Sequence, residues 1–105
     1  VLTSVSEAQP LVILEGFAAG VPCVATRVGD VPSLLDHDDR FIAVPKDAPG
    51  IASRIAFVLN ESEEVSRWLE RRREAVRTYY SRSAVFDRYR DLYHELAEER
   101  SLWQA

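Results

Sequence analysis

The sequence contains no methionine, one cysteine, four glycines and two histidines in 105 residues, and no apolar run approaches the roughly 20 residues that span a bilayer. Each scarcity excludes something. With Cys23 alone there is no internal disulfide, and a reducing, cytoplasmic setting is expected. Within Pro22-Cys23-Val24-Ala25-Thr26 that thiol is expected to pack in a core. No signal peptide is visible. Lacking an initiator methionine and starting directly on Val1-Leu2-Thr3-Ser4, the chain reads as a piece of something longer. Net charge is −4 and basic residues gather only in the helical tail, which argues against a nucleic-acid partner. His37 stands among Asp36, Asp38 and Asp39, but neighbours on one loop seldom converge on an ion, so no metal site is expected.

Hydrophobic residues make up 47% and charged residues 29%, the balance of a small globular domain with a modest core. Val1-Leu2-Thr3-Ser4 reads as a short buried strand and Ser4 to Gln9 as the loop at its carboxyl end. Pro10 suits a first helical position, where a missing N–H costs nothing, and Gly20 before Val21-Pro22 is a stop signal. The intervening helix is apolar almost all round and is expected to be buried. Cys23 to Thr26 is a second strand, so the first 26 residues form a parallel βαβ unit whose ligand side is the carboxyl ends of its strands.

Further on, Asp30 is expected to cap a short helix over Ser33 to Asp36, and Gly29 and Asp30 fall on the ligand side. Phe41 to Pro45 reads as a third strand. Asp47 opens a helix reaching about Asn60, with Ile51, Ile55, Val58 and Leu59 on one face. Another helix follows, capped by acidic residues, with Val65, Trp68, Leu69, Val76 and Tyr79 at helical spacing. Its Arg71-Arg72-Arg73 run, flanked by Glu70 and Glu74, is expected to be a solvated face. Beyond a break at Ser81-Arg82-Ser83, the last helix aligns Val85, Tyr89, Leu92 and Leu96, with Phe86, Tyr93 and Ala97 beside them. That stripe either covers the small sheet or docks on something outside this chain.

The chemistry-bearing stretch is Ser6-Glu7-Ala8-Gln9-Pro10-Leu11-Val12-Ile13-Leu14-Glu15. Glu7 lies in the loop, and Glu15 on the second turn, about 7.5 Å along the axis from Pro10 at roughly 1.5 Å per residue. Donors at the helix start attract an anion. Two carboxylates flanking a phosphate would repel it and are better suited to accept hydroxyl groups, so a nucleotide sugar fits the pair. A helix cap at Glu7 and an arginine partner for Glu15 explain the residue types equally well.

Continued through Gly16-Phe17-Ala18-Ala19-Gly20-Val21-Pro22-Cys23-Val24-Ala25-Thr26 to Val28-Gly29, the stretch resembles the C-terminal domain of family-4 glycosyltransferases, retaining enzymes of the GT-B fold. The resemblance implies an α/β fold: part of a Rossmann-like donor domain over residues 1–80, a short parallel sheet with flanking helices, and a helical tail over 81–105 that packs on a domain outside the chain. It implies transfer of a hexose from a UDP-sugar, with UDP-glucose a candidate, to a glycan acceptor, a growing exopolysaccharide. Glu7 matches the glutamate that faces the donor sugar and reaction centre, and Glu15 the one that binds the ribose hydroxyls. Gln9 and Pro10 match a turn whose backbone approaches the sugar, and Leu11 and Val12 match positions whose amides meet the diphosphate. No metal or other cofactor is required in the family. The implied partners are the N-terminal domain of the same enzyme and a membrane polysaccharide-synthesis complex.

Three departures stand out. Gln9-Pro10 replaces a frequent Gly-Phe-Gly, Gly16 replaces a frequent alanine, and the family's basic diphosphate clamp lies upstream of anything present here. The chain alone is therefore expected to be inactive. Competing readings are a nucleotide-sugar epimerase or phosphorylase of the same fold, and a non-catalytic interaction module built on the aromatic stripe.

Overall fold

A computed structural model describes the backbone of residues 1–104 and the side chains of residues 1–101. Its element order is α1 (Leu11–Ala18), β1 (Ala25–Thr26), α2 (Val31–Leu34), β2 (Ile42–Ala43), α3 (Ala48–Asn60), α4 (Ser62–Ala75), a π-helical turn (Val76–Tyr80) and α5 (Arg82–Gln104). It is an α-rich, partial Rossmann-like unit built around a short parallel sheet.

The three expected strands are all parallel, but shorter than the sequence suggests. β1 and β2 pair through Ala25 with Ile42 and Thr26 with Ala43. The first strand shrinks to one bridge, Leu2 beside Ala25. Its ladder ends early because the Ser4 carbonyl accepts the Thr26 hydroxyl in place of a backbone N–H. β1 is buried on both faces, as is β2, the usual state of parallel strands.

At α1 two expectations are corrected. Pro10 is the N-cap, with φ −74° and ψ 112°, and the first helical dihedrals fall on Leu11. Nor is the helix buried all round: Ile13 and Phe17 face the core, while Leu11, Val12 and Glu15 share an open face. The stop is as expected. Gly20 takes φ +78°, the N–H of Val21 reaches the Gly16 carbonyl at 2.8 Å and that of Gly20 reaches Phe17 at 3.0 Å. These are the paired bonds of a Schellman cap.

α2 begins at Val31, two residues before the expected Ser33, because Pro32 fits its first turn. α3 is capped by the Asp47 carboxylate, which accepts the Gly50 N–H at 3.0 Å. Leu59 leaves the expected face and is 75% exposed. In α4, Glu63 and Glu64 in the first turn and Arg72 and Arg73 in the last match the helix dipole. Val65 and Trp68 are buried from that helix. The arginine run is not a solvated face throughout: Arg72 folds inward toward Asp36, 3.6 Å away.

The core closes on Trp68. Its ring stacks on Phe41 at 3.7 Å between centroids and meets the edge of Phe17 at 5.5 Å. Ile13, Val31, Leu34, Leu35 and Ile42 fill the space around them. Cys23 packs half-buried against this cluster, as expected, and burial pushes its thiol upward in pKa.

The helical repeat changes at Val76–Tyr80. A π turn inserts an extra residue per hydrogen-bonded ring, which rotates the following side chains. Tyr80 consequently packs against the core and Tyr79, expected inside, is 54% exposed. Ser81 is extended, as the expected break requires, and α5 departs from the body. The radius of gyration is 17.7 Å, against about 13 Å for a compact domain of this length. α5 therefore does not cover the sheet: Phe86, Tyr89, Leu92, Tyr93 and Leu96 are all about half exposed or more. Of the expected 81–105 segment, Ala105 lies outside the described residues.

Candidate functional site

The Glu7 loop leaves the carboxyl end of the first strand and runs into the start of α1. Ser4, the last residue before the loop, donates its hydroxyl to Glu7 Oε1 at 2.7 Å. Ser4 is itself fixed, because the buried Thr26 donates to its carbonyl. The Glu7 carboxylate is thus tied to the sheet by two successive hydroxyls, and Glu7 stays half-buried.

A second segment, Arg27 to Asp30 after β1, lies against this loop. The Asp30 N–H reaches the Ala8 carbonyl at 2.8 Å, and the Gln9 amide donates to the Asp30 carboxylate at 2.7 Å. Gly29 makes the approach possible. It adopts φ +51°, and a Cβ there would overlap the Glu7 carbonyl oxygen and lie 2.6 Å from that of Ala8. Asp30 occupies the N-cap position of α2, as expected, but makes no side-chain cap bond because its carboxylate serves Gln9.

Pro10 is buried and offers no N–H, so the free donors of the helix start are the amides of Leu11 and Val12. One turn later Glu15 projects from the same open face, and among the described residues it has no hydrogen-bond or ion-pair partner. Glu7 does not cap α1 either. The alternative in which Glu7 caps the helix and Glu15 meets an arginine is therefore not what the chain adopts. Chemically, the edge offers backbone donors suited to an anion and two carboxylates suited to accept hydroxyls. No cation among the described residues pairs with either glutamate. No group of three or more potential metal ligands occurs among the described residues, and no helix there is long and apolar enough to cross a membrane.

Beside Gln9 opens a groove of about 340 Å³ formed with Tyr79, Tyr80, Arg88 and Tyr89. Arg88 lies over the Tyr79 ring, 3.9 Å from its centroid, and donates to the Tyr79 carbonyl. Burial raises the pKa of Tyr80, and the negative charge of Asp30 raises it further.

The sequence-predicted residues Glu7, Gln9, Pro10, Leu11, Val12 and Glu15 all fall on one loop and the first turns of one helix. Sequence reasoning missed Ser4 as the partner of Glu7 and the Gln9–Asp30 bond. Ser4 sits three residues before Glu7, a spacing at which a hydroxyl can turn back to a carboxylate. Asp30, 21 residues from Gln9, carries no local signal of that bond.

A family profile described as Glycosyl transferases group 1 matches residues 1–75. The chain is 31% identical over 99 residues to the N-acetyl-alpha-D-glucosaminyl L-malate synthase of Bacillus anthracis, covering 93% of this chain and 26% of that protein. It is 30% identical over 96 residues to an exopolysaccharide phosphotransferase of Streptomyces coelicolor, 90% of this chain and 10% of the relative. A third similarity, 30% over 81 residues, is to an Escherichia coli protein named for glycosyltransfer in colanic acid biosynthesis, 75% of this chain and 20% of that one. The chain thus spans about a quarter or less of the length of these relatives.

Proposed function

This chain belongs to the group 1 glycosyl transferases, and from that premise we propose that it is the donor-binding part of a retaining enzyme that moves a hexose from a UDP-sugar to a glycan acceptor. The observation that supports this best is that Glu7, held by Ser4, lies on the loop that runs into α1, and that Glu15 stands unpartnered on the open face of that helix one turn past its free amides. In chain order, an anion-attracting helix start thus lies between two carboxylates with oxygens that can accept hydroxyls. In this reading the diphosphate meets the Leu11 and Val12 amides and Glu15 takes the ribose hydroxyls. Gln9 and Pro10 border the sugar with their backbone, and Glu7 orients it. As the diphosphate leaves, positive charge builds at the anomeric carbon and negative charge on the leaving group. Helix-start donors stabilise the latter.

The finer reading is a growing exopolysaccharide as acceptor and UDP-glucose as a candidate donor. The form Ser6-Glu7-Ala8-Gln9-Pro10-Leu11-Val12-Ile13-Leu14-Glu15 resembles that of PelF, the cytosolic transferase of Pel exopolysaccharide synthesis, and it supports a cytoplasmic enzyme serving a membrane polysaccharide-synthesis complex. The exposed apolar stripe of α5 supports docking on the N-terminal domain of the same enzyme, while the cationic clamp would come from the upstream half of the donor domain.

The experiment is donor kinetics on the full-length enzyme. Glu15→Ala is expected to raise the donor KM about tenfold or more, the loss of charge-assisted hydrogen bonds to the ribose. Glu7→Ala is expected to lower kcat by about a hundredfold. Unchanged transfer and donor affinity in both variants would refute the assignment.

A further inference from the structure

We propose that Ser4 and Asp30 are the positioning residues of this site, Ser4 aiming the Glu7 carboxylate and Asp30 holding the Gln9 turn, with Gly29 as the contact that lets the two loops meet. The inference rests on the donor-site reading above and adds to it the machinery that holds the site in shape.

The geometry points to a relay that begins in the sheet. Thr26 is 1% exposed and fixed by β1, its hydroxyl holds the Ser4 carbonyl, and the Ser4 hydroxyl holds Glu7 Oε1 at 2.7 Å. A carboxylate on a loop samples several rotamers. A hydroxyl donor anchored on a strand selects one and leaves the second oxygen free for a ligand. The Asp30 carboxylate has the opposite task. It accepts the Gln9 amide at 2.7 Å, while its own N–H fixes the Ala8 carbonyl at 2.8 Å, so residues on both sides of the Ala8–Gln9 peptide are tied to one corner. The Asp30 side chain does not do the local work its position suggests: it makes no cap bond to α2 although it sits at the N-cap. Ser4 and Asp30 both bond instead to the segment that carries Glu7 and Gln9.

The two contacts predict different kinetic signatures. Misaiming Glu7 harms the step it orients, whereas loosening the Gln9 turn harms donor capture. The assay is UDP release from UDP-glucose, UDP-galactose and UDP-N-acetylglucosamine by the full-length enzyme, following whichever donor the wild type uses. Ser4→Ala is expected to lower kcat about tenfold with donor KM within about twofold, and Ser4→Thr, which keeps the hydroxyl, to restore most of it. Asp30→Ala is expected to raise donor KM severalfold with kcat largely kept, and Asp30→Asn, which keeps an acceptor for Gln9, to restore it. If Ser4→Ala and Asp30→Ala match the wild type while Glu7→Ala loses activity, the positioning roles are overturned and the donor-site reading stands. Equal losses in Ser4→Ala and Ser4→Thr, with lowered unfolding midpoints, overturn the inference in favour of a purely structural role. A silent Glu7→Ala removes the donor-site reading and this inference with it.

Discussion

Replacing Gly29 with alanine should be the most damaging single-methyl addition among three glycine positions in this chain, and its cost can be built from the structure. Gly29 holds φ +51°, which costs a residue with a Cβ about 1–2 kcal/mol. The added methyl also overlaps the Glu7 carbonyl and lies 2.6 Å from that of Ala8, both backbone atoms that cannot rotate away. Relief requires the β1–α2 loop to withdraw, which sacrifices the Asp30–Ala8 hydrogen bond at about 1 kcal/mol and loosens the Gln9 bond beside it. Together these give a loss of about 2–4 kcal/mol, a large share of the stability of a small domain. Two other glycines calibrate the reasoning. At Gly20, φ is +78° but the space is open, with only an Arg73 nitrogen 3.9 Å away, so alanine should cost about 1–2 kcal/mol from the dihedral alone. At Gly16 the helix is regular and a Cβ meets the Val21 carbonyl at an ordinary 3.5 Å, so alanine should stabilise by about 0.5–1 kcal/mol. Urea unfolding of the chain followed by circular dichroism reads all three. The expected order of midpoints is Gly16→Ala, wild type, Gly20→Ala, Gly29→Ala. A Gly29→Ala midpoint at or above that of Gly20→Ala refutes the close-approach argument.

Other outcomes follow from the core and the surface. Trp68→Ala, which removes the ring that stacks on Phe41 and meets Phe17 edge-on, should cost about 3–5 kcal/mol in the same unfolding measurement. The Arg40 guanidinium, hydrogen-bonded to Asp38, holds that carboxyl below its ordinary value in the folded chain. The pair's stabilisation, under about 1 kcal/mol, is therefore complete above the unfolded carboxylate's pKa and is lost as pH falls below about 4. Asp38→Asn should remove that acid-side loss and lower stability at neutral pH. Changing Tyr93 and Leu96 to glutamate together should leave the unfolding free energy within about 0.5 kcal/mol and reduce binding of a hydrophobic dye, since both side chains stand at least half exposed.

The parts legible in the sequence were those decided within a few residues. The Gly20 stop, the Asp47 cap and the buried positions Val65 and Trp68 all follow from local dihedral preference, local hydrogen bonding or helical period. So does the parallel order of the three strands, since a strand, a short helix and a strand admit little else. What was not legible depends on partners far along the chain. The Asp30 side chain forgoes the cap its position predicts for an acceptor role 21 residues away. Arg72, in a run that reads as solvated, turns inward because Asp36 in a distant turn faces it. The π turn at Val76–Tyr80 keeps a helical pattern in the sequence while shifting its phase, so Tyr79 and Tyr80 exchange the positions that a 3.6-residue period assigns them. For the candidate site, the sequence placed Glu7 in the loop and Glu15 on the helix, but the open face of α1 was not legible in a helix that reads as apolar almost all round. The hydroxyl relay through Ser4 needed the fold.

The open face of α1 bears on how stability and function divide in this chain. Leu11, Val12 and Glu15 share that face, while the same helix buries Ile13 and Phe17 fully. Burying those two side chains contributes about 1.5–3 kcal/mol each, which holds α1 in place whatever its outer face does. The outer face is thus free of structural duty, yet it is not the polar surface that solvent alone would favour: Leu11 is 64% and Val12 56% exposed beside an unpartnered carboxylate. In the donor-site reading proposed above, this is the face that meets the donor. Substitutions at Leu11, Val12 and Glu15 should therefore alter binding with little change in unfolding free energy, and those at Ile13 and Phe17 the reverse. If Leu11→Ser destabilised the isolated chain as strongly as Ile13→Ser, the outer face would be part of the core, and the division between a scaffold face and a binding face on α1 would fail.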